Sequence, residues 1–316
     1  MTESQALQAH TKAQQLQADG LHPEAIRTLG PVLDFFANDP LDLANILCDR
    51  ADSLFELCRY TEAEADTRRA LVTLTPVLDQ IDPETRGILA TRVFNTHGRA
   101  LRELGLYPQA EAPHRNAIAE AERAFGPNHP EVASQLNNYG VLCKYWGRFE
   151  QGEAAYLRAL AILEAAFGPD SLETATLYHN LGGLEHSRGN FAKGEPLGRK
   201  AYEIRRAFLG DEHEAAVADA VAWGGLLDGL ERFDESIPIY RRALAFQEQR
   251  FGPAHFEVAA TLNNLGIALA SQGDLPEAIA AITRALQIKE SLFAPGHPEI
   301  QLTQANLDAI GGNKHA

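Results

Sequence analysis

Lys144, His186 and Asp228 stand 42 residues apart, one after another. An Asp beside a His is part of a catalytic arrangement, because the carboxylate orients the imidazole and stabilises its charged form. No Ser or Cys nucleophile is placed near them by a motif, so lateral polar pairing is the expectation for these three. His179 and His186 are seven residues apart, about 10.5 Å along a helix, which is long for two ligands of one metal. Asn138, Asn180 and Asn264 share another recurring position. An amide offers a donor and an acceptor together, so it can pair with one peptide unit whatever the side chain. Arg92, Arg99 and Arg102 fall on one helical face, and Arg suits two-point recognition of a carboxylate. Asp49, Asp52 and Glu56 could equally pair with Arg99 and Arg102 inside the chain.

These residues ride on a repeat. Phe125, Phe167, Leu209, Phe251 and Phe293 keep the 42-residue step, and so do Gly98, Gly140, Gly182, Gly224 and Gly266. "FGPNHPEVASQLNNYG" returns as "FGPAHFEVAATLNNLG" at residues 251–266. Upstream, "LFELCRYTEAEADTRRAL" and "ADGLHPEAIRTL" are looser copies. Each unit holds two stretches of helical periodicity, a helix A and a helix B, divided by Gly105, Gly147, Gly189 or Gly273. Leu230–Glu231 replaces that Gly in one unit. Pro23, Pro108 and Pro276 fall in the first turn of helix B, where a missing N–H costs nothing. His129, His213, His255 and His297 recur before helix A; neighbours one repeat apart stand roughly 10 Å apart, too far to share a metal.

The pattern resembles the tetratricopeptide repeat, in the 42-residue form similar to the repeats of kinesin light chains. The usual unit is about 34 residues. The heavy-chain-binding coiled coil of those proteins has no counterpart here, so no motor role is carried over. The resemblance implies an all-α, right-handed superhelical solenoid and one array over residues 1–316. Its units cover about 4–37, 42–75, 87–120, 129–162, 171–204, 213–246 and 255–288, with a capping helix at 297–310. It also implies a concave groove lined by the A helices. The groove positions of the family fall here on Asn95, Arg99, Arg102, Asn137, Asn138, Lys144, Tyr145, His179, Asn180, His186, Asn263 and Asn264. Ala222 breaks the Asn row, which centres a peptide track on units three to five. The same Asn residues could instead bond neighbouring helices. The carboxylate clamp of chaperone-binding members is not reproduced.

Composition bounds the function. With 28 Lys and Arg against 43 Asp and Glu, the net charge is −15, a poor match for a phosphate backbone. Hydrophobic residues make up 45%, enough for a sizeable core. No apolar run approaches the roughly 20 residues that span a bilayer. The opening "MTESQALQAHTKAQQLQ" lacks an apolar signal core. Three cysteines without motif spacing point to a reducing, cytoplasmic setting. The expectation is an interaction module for a protein or acidic peptide, with no cofactor, metal, nucleic acid, membrane or catalytic residue. The alternatives are a small-molecule sensor or enzyme centred on His179, His186 and Asp228, and a self-assembling structural protein.

Overall fold

The computed structural model describes residues 1–312. Among them the chain forms fifteen α-helices and one 3-10 turn, with no strand. Two compact units, Met1–Ala166 and Phe167–Ala316, divide it.

The first unit contains four antiparallel pairs. They are α1 (Glu3–Ala18) with α2 (His22–Phe35), α3 (Pro40–Glu56) with α4 (Tyr60–Leu74), α5 (Pro83–Glu103) with α6 (Tyr107–Phe125), and α7 (Pro130–Tyr145) with α8 (Phe149–Phe167). A 3-10 turn, Thr75–Gln80, lengthens the link after α4. The second unit continues with α9 (Leu172–Ser187) and α10 (Phe191–Leu209), then α11 (Glu214–Gly229) and α12 (Phe233–Phe251). It closes with α13 (Phe256–Gln272), α14 (Leu275–Leu292) and a last helix α15 (Pro298–Gly312). Seven pairs and a terminal helix therefore match the repeat count read from sequence.

The 34-residue windows end too early. In the third to sixth pairs helix B runs 19 residues and reaches the Phe or Leu of the recurring loop. The extra length of the 42-residue repeat thus lies in a longer helix B and the loop behind it. In the first two pairs helix B has only 14 and 15 residues, which is why the upstream spacing differs.

The loop "FGPxHPE" has a local cause at each position. Gly126 caps α6 at φ 88°, ψ 157°, a conformation open to glycine alone. His129 is the N-cap of α7, and its Nδ1 accepts from the Glu131 backbone N–H at 3.1 Å. Its ring stacks on Phe125 at 5.0 Å between centroids. His213, His255 and His297 accept in the same way. The recurring histidines form a row of helix caps.

Close crossings hold each pair. A methyl on Gly140 would stand 2.5 Å from Tyr156 Cε1, so that glycine is what lets the tyrosine ring lie against α7. His97, at a packing position, is buried and bonded to Thr67 Oγ1 at 3.0 Å. At the chain's end, Ile310 of α15 packs with Leu265, Leu269 and Ile282. Covering that apolar surface contributes about 1.5–3 kcal/mol for the isoleucine alone. None of the helices is long and apolar enough to cross a membrane, among the described residues.

Candidate functional site

In the first unit α5 packs against both α3 and α7. Asn95, Arg99 and Arg102 belong to α5; Asn137, Asn138, Lys144 and Tyr145 belong to α7. Asn138 Nδ2 donates to Asn95 Oδ1 at 3.0 Å. The Asn pair is therefore a tie between successive A helices, and Asn138 keeps its carbonyl and a second N–H for another partner.

The arginines are largely engaged. Arg92 donates to Asn45, Asp49 and Asp52, the last at 3.2 Å. Burial opposes ionisation of Asp49, but hydrogen bonds from His10 and Arg92 hold its carboxyl below the usual range. Arg99 lies 4.1 Å from the centre of the Phe55 ring and 3.8 Å from Glu56. Arg102 turns to Glu103, and its side chain is only 14% exposed. The acidic residues of α3 thus pair with Arg92 and Arg99, and not with Arg102. Lys144 differs: it has no carboxylate partner among the described residues. Its amine sits 5.8 Å from the Tyr145 ring centre, and burial pulls its ammonium below the ordinary lysine range. Tyr145 itself is 61% exposed.

In the second unit His179, Asn180 and His186 belong to α9, and Asn263 and Asn264 to α13. His179 Nδ1 lies 2.7 Å from Asp219 Oδ1. Arg205 donates to the same oxygen at 2.6 Å and to Thr176 Oγ1 at 2.9 Å. Asp219 is buried, and its Oδ2 has no partner. His186 meets Phe191 edge-on at 5.4 Å. Asp228 is committed elsewhere: Tyr240 donates to it at 2.6 Å and Ser236 donates to its other oxygen. Its carboxyl is raised, chiefly by burial. Asp228 therefore ties α11 to α12. Among the described residues no group of three or more His, Cys, Asp or Glu side chains could hold a metal.

Asn306 donates to Asn263 at 3.0 Å, repeating the Asn138–Asn95 bond in the second unit. Sequence reasoning missed Asn306, although it lies one repeat after Asn264. Asn264 is half-buried and makes no side-chain hydrogen bond among the described residues. Asp219 carried no sequence signal, since its partners are distant in the chain.

Each unit also has a hollow between successive B helices. One of about 460 Å³ is lined by Arg115, Leu136, Tyr139 and Arg158 in the first unit. Its counterpart two repeats later, about 360 Å³, is lined by Tyr202, Ala220, Ile239 and Arg242. None of the expected site residues lines either.

The tetratricopeptide repeat model matches residues 89–165, 136–207 and 217–291. The chain belongs to the tetratricopeptide repeat family. No curated protein matches it. Similar solved structures include BtubC (BKLC) from P. vanneervenii, 21% identical with a TM-score of 0.58, covering 75% of this chain and 92% of that one. A putative kinesin light chain from Podosopora anserina is 15% identical with a TM-score of 0.56, covering 64% of this chain and 97% of that one. The apo form of RapI reaches a TM-score of 0.67 at 14% identity, over 91% of this chain and 98% of its own. At these identities the likeness is one of fold.

Proposed function

We propose that this tetratricopeptide repeat protein is an interaction module whose A-helix faces hold an extended, acidic segment of a partner protein. The architecture supports it, because stacked repeats present extended surfaces built from equivalent side chains. Among the similar structures is a Rap protein complexed with Competence and Sporulation Factor, 11% identical with a TM-score of 0.60.

The observation that carries the reading is Lys144 beside Tyr145. In a row where Arg92, Arg99 and Arg102 each face a carboxylate, Lys144 faces none. Beside it stands an aromatic side chain left to solvent. A half-buried cation next to an exposed ring is suited to an acidic residue and its neighbour. Asn138 then supplies amide groups to the partner's backbone, while Asn95 positions it. Arg99 and Arg102 add positive potential, shared with Glu56 and Glu103.

A random peptide library displayed against the purified protein tests this. Enriched peptides should carry Asp or Glu, bind more weakly as salt rises, and be lost with Lys144→Ala and with Asn138→Ala. Enrichment that is indifferent to both substitutions, in variants with wild-type melting curves, would sink the reading.

A further inference from the structure

Tyr156 and Tyr240 hold the same position two repeats apart. Both are fully buried. Each lays its ring on the glycine of the paired A helix. A Cβ on Gly140 would stand 2.5 Å from Tyr156 Cε1, and one on Gly224 would stand 2.7 Å from Tyr240 Cε1. One helical turn beyond those glycines come Lys144 and Asp228, again equivalent.

The two copies differ in how the phenol is satisfied. Tyr240 Oη donates to Asp228 Oδ2 at 2.6 Å, and Ser236 donates to Oδ1. In the earlier copy Lys144 replaces the Asp and Gly152 replaces the Ser. Tyr156 Oη is left buried with no partner. A buried hydroxyl without a partner is a costly feature that asks for an explanation. Lys144, one helical turn from Gly140, is half-buried and lacks an anion. The earlier repeat thus has a donor without an acceptor and a cation without an anion at the two positions that the later repeat joins through a carboxylate.

We propose that Lys144 and Tyr156 form a binding site for a carboxylate that the ligand supplies. This rests on the reading that the A-helix face is the ligand surface, and it names the group recognised there. Lys144 Nζ provides the charge-assisted contact. Tyr156 Oη is the second donor, reached as the flexible Lys144 side chain swings out to meet the ligand. Tyr145 offers a flat apolar flank for whatever precedes the carboxylate. Arg102 holds the Lys144 position one repeat earlier; turned to Glu103, it contributes potential without contact.

The test is NMR on the full chain with 13C-labelled tyrosine and lysine side chains. The probes are sodium acetate, matched against sodium chloride at equal ionic strength, and two blocked pentapeptides differing only in a central Asp or Asn. Acetate should shift the Tyr156 Cζ and Lys144 Cε signals in a saturable way that chloride does not reproduce. The Asp peptide should do so at lower concentration, and the Asn peptide about tenfold more weakly. Tyr156→Phe should weaken the acetate response several-fold. Lys144→Asp should abolish it while raising the melting temperature, because it rebuilds the Asp228–Tyr240 arrangement. Lys144→Gln provides the charge-loss control if that variant does not fold.

Acetate active with both peptides silent would keep the site, make its ligand a free carboxylate, and remove the peptide reading above. Both peptides binding equally with acetate silent would keep the peptide surface and overturn this site. An unchanged acetate response in Tyr156→Phe would also overturn it.

Discussion

Asn138 donates its side-chain amide to Asn95 across two A helices at 3.0 Å, and Asn306 makes the equivalent bond to Asn263. Both donors hold one repeat position and both acceptors another. A side chain that looked like a reader of foreign backbone is first a tie within the protein. The two roles are compatible, because an Asn amide has two N–H groups and a carbonyl.

The tie predicts energetic coupling. Asn95→Ala and Asn138→Ala should each lower the unfolding free energy by about 0.5–1.5 kcal/mol, the net worth of one hydrogen bond. The double variant should lose little more than either single one, since both remove the same bond. Urea denaturation of the four proteins measures this. Strictly additive losses would show that the bond contributes nothing.

Glu231 marks a local strain. It stands at φ 60°, where equivalent units have Gly147, Gly189 and Gly273 at φ between 75° and 98°. A side chain in this left-handed region costs about 1–2 kcal/mol. Glu231→Gly relieves that cost but loosens the unfolded chain, which returns part of it. The expected outcome is a gain of about 1 kcal/mol in chemical denaturation, with no change in ligand binding. A loss of stability would mean that Glu231 makes a contact worth more than the strain.

His114 gives the protein an acid sensitivity. It holds the position of Tyr156 and Tyr240, is buried, and has no partner on either ring nitrogen. Burial first, and Arg102 second, lower its pKa to about 3. An unfolded imidazole takes its proton near 6.5. Between these values the unfolded chain binds the extra proton. The contribution is therefore whole above about pH 6.5 and drains away as pH falls toward the folded value, by about 1.4 kcal/mol per pH unit. His114→Phe puts an aromatic ring where other repeats have one and should flatten that part of the stability profile. Equal slopes for the two proteins between pH 6.5 and 4.5 would refute the assignment; these pH limits are roughly those set by the reference pKa and the folded value.

The repeat was determined by sequence alone. The 42-residue step, the helix-dividing glycines and the first-turn prolines are local signals, each tied to a backbone conformation or a helical period. They were enough for the pairs, the family and the terminal helix. The tertiary structure decided which polar groups are already spoken for. Asn138 lies 43 residues from Asn95, Arg92 lies 43 from Asp49, and Tyr240 lies on a different helix from Asp228. Whether such groups meet depends on how far each helix is rotated and slid against its neighbour, which packing sets and no local pattern records. Lys144 and Arg102, equivalent in the repeat, differ for a local reason instead: Arg102 is followed by Glu103, where Lys144 is followed by Tyr145.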